Sequence, residues 1–298
     1  MSRIYLGLIL LVFACDSKKP NEQAYQESLK DTTTTQKLEI SEEVLSDIIQ
    51  QIPSPLEISV LLKESGTNYD KTLLNDAGNV SEYNSNFAKA VNLGIYGTDL
   101  GYTNIYEQNQ DALFYLGSIR SLAEGLSIGQ FFDFSAISRL ATNSKNLDSL
   151  LLITTQNFNN INSYLQNQER ANLSILILTG GWLEALHISN QVLKKNISNQ
   201  ELREKVGEQK IILENIMLLL SFYEGSDPNI SDLKEKMGPL KAEFDKIEIA
   251  YTYEESTFEE VNGILMIKDN SSSTIKISDQ NIADIDRITK SIRSSIIN

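Results

Sequence analysis

Residues 173–183 (LSILILTGGWL) are apolar or small on every side of a helix, and this stretch limits the possible folds more than any other. It is well short of the roughly 20 residues that cross a bilayer. A helix with no polar face has to be enclosed by other elements to stay out of water. The chain therefore predicts a central helix with further helices packed around it.

The rest of the sequence supplies the surrounding elements. Ser41-Glu42-Glu43 starts a helix with Val44, Leu45, Ile48 and Ile49 on one stripe, and Ile52-Pro53 ends it. Ser54-Pro55 opens the next, with proline at the first helical position, and Gly66 closes it. Long helices are predicted over residues 81–108, 109–126, 144–166, 169–195 and 199–223, with a loop at 129–134. Ser226-Asp227-Pro228 breaks the chain before a helix over 230–247, which Gly238-Pro239 is expected to kink or interrupt. Near the end the period shortens. Residues 264–267 and 274–277 are β-branched and apolar, separated by a polar run, and predict a β-hairpin over about residues 262–278. A closing helix, capped near Ser278 or Asp279, follows with Ile282, Ile285, Ile288, Ile292 and Ile296 at spacings of three and four. The expected fold is mostly α, an antiparallel helical bundle with a small β-hairpin near the C-terminus, over residues 38–298.

The first residues read as an export signal. Met1-Ser2-Arg3 is a short positive start, and residues 4–14 form an uncharged apolar run of signal-peptide length. Leu11-Val12-Phe13-Ala14-Cys15 resembles the lipobox of bacterial lipoproteins, with Val12 and Phe13 departing from its commonest form. The resemblance implies diacylglycerol on the Cys15 sulfur, cleavage before it, and acylation of the new amino terminus by palmitate-class chains. The competing reading is an ordinary secretory signal or an uncleaved anchor. Against it, Cys15 is the chain's single cysteine, and the polar run Asp16-Ser17-Lys18-Lys19-Pro20 follows directly. Several acyl chains anchor durably where one alone binds marginally. Residues 16–37 carry only Tyr25 and Leu29 as large apolar side chains and predict a disordered tether. A coil of that length spans on the order of 25 Å.

The formal net charge is −14, and Arg3 is the only charged residue ahead of Cys15. Such a balance argues against binding nucleic acid through its phosphates, and against docking a protein face onto anionic lipid. Solubility of an exported surface accounts for it. With one cysteine there is no internal disulfide, so stability has to come from the core.

Two segments carry candidate chemistry. Glu184 and His187, the only histidine, lie three apart and project from nearly one helix face. A Glu-x-x-His pair supplies metal ligands in helical-bundle carboxylate proteins. Those use the motif twice, so a di-metal centre is not expected, and no cofactor is expected overall. A single divalent-metal site with Asp99 or Glu107 as further ligands is the alternative. Set against it, Glu184 and His187 bond each other or the backbone in a packed helix. In the second segment, Asn92 to Tyr102, three glycines inside a predicted helix each cost about 1 kcal/mol relative to alanine. Gly94 and Gly101 share a face with Gly97 beside them, a smooth strip against which the Gly180-Gly181 helix can pack closely. Asp99, Tyr102 and Tyr106 fall on another face and line either a polar pocket or ordinary core. Glycine-rich phosphate loops and zinc-binding cysteine pairs are absent, and one histidine leaves little room for nucleophilic triads. The acidic pairs Glu254-Glu255 and Glu259-Glu260 read as solvated surface.

Taken together, the lipobox, the tether, Ile52-Pro53-Ser54-Pro55-Leu56, the segment from Asn92 to Tyr102 and Gly180-Gly181-Trp182 resemble uncharacterised helical lipoproteins of Bacteroidota. The resemblance implies a cell-envelope location and carries no activity. Asp16 after the cysteine marks inner-membrane retention in some bacteria, a rule that does not transfer to Bacteroidota, so both membranes stay open. The expected function is a non-enzymatic binding or assembly module, held to a membrane by lipid on Cys15 and facing an envelope protein or small ligand. The alternative is a metal-binding or metal-dependent protein built on Glu184 and His187.

Overall fold

A computed structural model describes residues 48–49, 62, 66–141, 147–261, 264–268 and 272–298. All of them belong to one compact unit, Glu39–Asn298. The predicted signal, Cys15 and the predicted tether lie outside the described residues. So do the predicted helices before residue 66, except that Ile48, Ile49 and Leu62 are helical and that Ile49 and Leu62 are buried.

The chain is mostly α-helical, an antiparallel bundle with a small antiparallel β element near the C-terminus. Two short 3-10 turns, Lys71–Leu73 and Ala77–Glu82, are capped by the side chains of Asp70 and Asp76. Eight helices follow in chain order: α1 (Asn86–Ile105), α2 (Asn109–Gly125), α3 (Phe134–Ala141), α4 (Leu147–Asn167), α5 (Ala171–Lys195), α6 (Gln200–Ser221), α7 (Pro228–Phe244) and, after the strands, α8 (Asp279–Ile297). The predicted helix over 81–108 begins later than expected because Ser85 caps it, accepting a hydrogen bond from Ala88 N at 3.0 Å. The predicted loop at 129–134 is a 3-10 turn, Gly129–Phe131, leading into α3.

α5 is the centre. It is long and apolar enough by composition to cross a membrane, yet 89 % of its most apolar window is buried inside the protein. Its closest neighbour is α1, which is buried over nearly its whole length. Glycine makes that approach possible. A Cβ built on Gly94 would fall 1.9 Å from the Ile177 carbonyl oxygen and 2.6 Å from Gly181 N, and one on Gly180 would fall 1.9 Å from the Val91 carbonyl oxygen. The two backbones touch where any side chain would hold them apart. Thr98 Oγ1 bridges the same contact by donating to the Gly181 carbonyl at 2.9 Å. Gly101 is also buried within α1, whereas Gly97 faces open space, with nothing within 4 Å of a built Cβ.

α7 starts at Pro228, capped by Asp227, and continues through Gly238-Pro239 without interruption. The expected break does not occur. Proline removes one backbone donor and strains the preceding turn, a penalty of about 3 kcal/mol in a helix interior. Buried Ile230, Leu233, Met237, Leu240 and Phe244 fix the helix on both sides of it.

The β element has two ladders. β1 (Glu248–Thr252) pairs antiparallel with β4 (Ser272–Lys276), and β2 (Thr257–Val261) pairs antiparallel with β3 (Ile264–Lys268). The two runs expected to face each other, 264–267 and 274–277, fall in or next to β3 and β4 but pair elsewhere. Val261 stands opposite Ile264, so the dipeptide Asn262-Gly263 separates the paired strands. Asn-Gly is the sequence preferred by two-residue hairpin turns, and it competes with the polar run for the turn. Buried Ile275 seats the ribbon on α6, where a Cβ on Gly207 would meet the Ile275 side chain at 2.5 Å.

Candidate functional site

α1 carries no charged residue between Lys89 and Glu107 except Asp99, and residues 171–193 of α5 carry only Glu184. Both are 0 % exposed. A lone buried carboxylate needs a counter-charge or its proton, and the fold supplies one of each.

The counter-charge is Arg293 on α8, far along the chain. Its Nη2 donates to Glu184 Oε1 at 2.7 Å and its Nε donates to Oε2, a two-pronged pair. Nη2 also donates to the Leu73 carbonyl at 3.1 Å. Burial works against the charge on Arg293, but Glu184 outweighs it and holds the guanidinium proton above its ordinary range. Asp99 takes the other course. Burial first, and then the negative charge of Glu184, push its carboxyl well above the usual range, which favours its protonated form. Its Oδ2 accepts from Asn75 N at 3.2 Å, while Oδ1 has no partner.

Around these groups lies a closed hydrogen-bond network. Asn75 donates from its side chain to Tyr83 Oη at 2.9 Å and Asn92 Oδ1 at 3.3 Å, and its carbonyl accepts from Tyr115 at 2.8 Å. Asn92 donates to the Ala88 carbonyl at 3.0 Å and the Ile296 carbonyl at 3.4 Å, and Tyr83 donates to the Ile297 carbonyl at 3.3 Å. Tyr96 donates to the Asp76 carbonyl at 2.8 Å. Burial raises the phenol pKa of Tyr83, Tyr96 and Tyr115, so all three remain neutral donors. The network ties the 70–83 segment, α1 and the end of α8 to one another.

The residues singled out from the sequence are distributed as follows. Asp99 and Glu184 come together. His187 lies one turn further along α5 and is buried, and its Nδ1 has no partner, so it does not share Glu184 as a packed pair would. Burial lowers its pKa to about 4, against an opposing pull from Glu184, and the imidazole is neutral at pH 7. Glu107 does not join them: it is exposed beyond the end of α1, with a left-handed backbone (φ 58°). Tyr102 and Tyr106 turn away from Asp99 and pack with Tyr69, ring centroids 4.8–6.1 Å apart. Tyr102 Oη accepts from Asp70 N at 3.3 Å, and Tyr106 donates to the Leu62 carbonyl at 3.2 Å. Cys15 is outside the described residues.

For a metal, Glu184 is the key ligand, and both its oxygens already accept from Arg293, a cation in the place a metal would need. Among the described residues, no group of three or more His, Cys, Asp or Glu side chains is arranged to hold one. Chemically the cluster is one ion pair, one acid whose burial favours its protonated form and one neutral imidazole, suited to joining helices. Sequence reading passed over Arg293 and Asn75. The readable signal was the isolation of Glu184 in an uncharged helix, which calls for an arginine elsewhere, and Arg293 stands beside Ile292 in the closing isoleucine stripe. No family model, curated protein or solved structure matches the chain.

Proposed function

We propose that this protein is a lipid-anchored, non-enzymatic binding or assembly module of a bacterial cell envelope, held to a membrane through Cys15. The reading rests on how the charged and apolar side chains are divided. The buried acids and the buried arginine serve the joint between helices. Large apolar side chains are left on the surface: Leu113 and Phe114 on α2, Ile211 and Leu218 on α6, and Tyr251 and Tyr253 on and beside β1. Ile211 and Leu218 are seven apart and share one side of α6. Exposed apolar groups on an otherwise acidic surface suit a protein partner. The lipobox and the tether support the envelope location, as does the resemblance to helical lipoproteins of Bacteroidota.

The test is photo-crosslinking in native envelopes, with a crosslinker placed at position 211 or 218. A discrete adduct that Ile211→Ser/Leu218→Ser weakens supports the reading. If no position on α2, α6 or β1 yields an adduct, and no small ligand copurifies with the protein, the binding-module reading fails.

A further inference from the structure

Two polar rungs fix the register of α5 against α8. Arg293 bonds Glu184 at one end, and at the other Gln191 and Lys194 both bond Asp286, the lysine at 2.9 Å. The helices run antiparallel, so His187 and Asn190 on α5 and Thr289 on α8 fall between the rungs. All three are buried. Four of their atoms have no protein partner: His187 Nδ1, Asn190 Nδ2, Asn190 Oδ1 and Thr289 Oγ1.

Elsewhere in the bundle, several buried groups of the same kinds satisfy themselves on their own helix, and the other unpartnered ones, among them Ser174 Oγ, Asn157 Nδ2 and Asn162 Oδ1, are single atoms of their side chains. Thr98 bonds the Gly94 carbonyl, Thr179 the Ile175 carbonyl, Ser189 the Ala185 carbonyl and Asn92 the Ala88 carbonyl, each four residues back. Thr289 and Asn190 make no such bond. A buried polar atom without a partner costs about 1–3 kcal/mol, so four in one short stretch of interface call for a shared guest. We propose that His187, Asn190 and Thr289 form an internal hydration site between α5 and α8, holding one water molecule. The composition of the site suits water. The imidazole nitrogen and the amide oxygen accept, the amide nitrogen and the hydroxyl donate, and a water molecule offers two hydrogens and two lone pairs. An ion is disfavoured, because Glu184 and Asp286 are already matched by Arg293, Lys194 and Lys290.

A high-resolution crystal structure of the protein tests this directly. It should show one ordered solvent peak within about 3.2 Å of His187 Nδ1 and of the Asn190 side chain. Direct pairing of these side chains, with Thr289 turned onto the Ile285 carbonyl and no peak between the helices, overturns the proposal. In solution, oxygen-17 relaxation dispersion of the full chain in detergent should lose the contribution of one long-lived water in Asn190→Leu/Thr289→Val. An unchanged dispersion in a folded variant counts against the site equally, and if the variant does not fold, the wild-type crystal structure decides.

Discussion

Glu184 and Arg293 show what a buried ion pair does when neither partner has an alternative. Removing one leaves the other charged and unsolvated, which costs about 3–5 kcal/mol. Arg293→Ala should destabilise the protein by that amount in denaturant unfolding, whereas Glu184→Leu/Arg293→Met, which removes both charges, should recover most of it. Equal losses in the single and the double variant would mean that the pair is not the joint described. The neighbouring acid and base respond to pH in opposite senses. His187 takes up a proton less readily folded than unfolded, so it adds stability that is full above about pH 6.5 and lost as pH falls toward 4. The depression from 6.5 to about 4 corresponds to about 3 kcal/mol. Asp99, raised on folding, contributes stability at low pH that is lost as pH rises above its ordinary range. Between pH 4 and 6.5 the two slopes oppose each other. His187→Gln should therefore melt at progressively lower temperature, relative to wild type, as pH rises over that interval, and Asp99→Asn should show the reverse trend. Parallel melting curves for wild type and both variants would contradict the assignment.

Among the elements, the α1–α5 contact gives the sharpest expectation. Gly94→Ala and Gly180→Ala each set a methyl group against a backbone carbonyl of the facing helix, and should cost at least about 3 kcal/mol. Gly97→Ala meets nothing and replaces a poor helix former with the best, so it should raise stability by about 1 kcal/mol. Thermal melts of the three variants rank them directly, and a destabilised Gly97→Ala would mean that this side of α1 is not open. The helices themselves were readable because apolar periodicity and caps such as Ser278 and Asp227 are local signals. The pairing of the strands was less so. β3 and β4 were visible as apolar β-branched runs, but their partners β1 and β2 lie in an acidic stretch with little alternation. The site was half legible. The Glu-x-x-His pair pointed to Glu184 and the stripe with Tyr102 and Tyr106 to Asp99, while the arginine that answers Glu184 follows it by 109 positions, a distance over which spacing carries no information.

For the molecule as a whole, the proposed anchor makes location depend on one sulfur atom. Cys15→Ser should abolish incorporation of labelled palmitate and move the protein from the membrane to the soluble fraction; retention on membranes without label would point to an uncleaved anchor. The substitution should leave the described body folded, since its core and its polar network are built from residues after position 47. The order in which that body can be completed follows from the Glu184–Arg293 pair. For a chain that emerges amino terminus first, from a ribosome or through a membrane, α5 is out long before α8. Until Arg293 arrives, Glu184 has no cation and the 70–83 segment has nothing at Leu73 to receive. That joint is therefore the last in chain order to be completed, and the Asn75–Tyr83–Asn92 network, which ends on the Ile296 and Ile297 carbonyls, is completed with it.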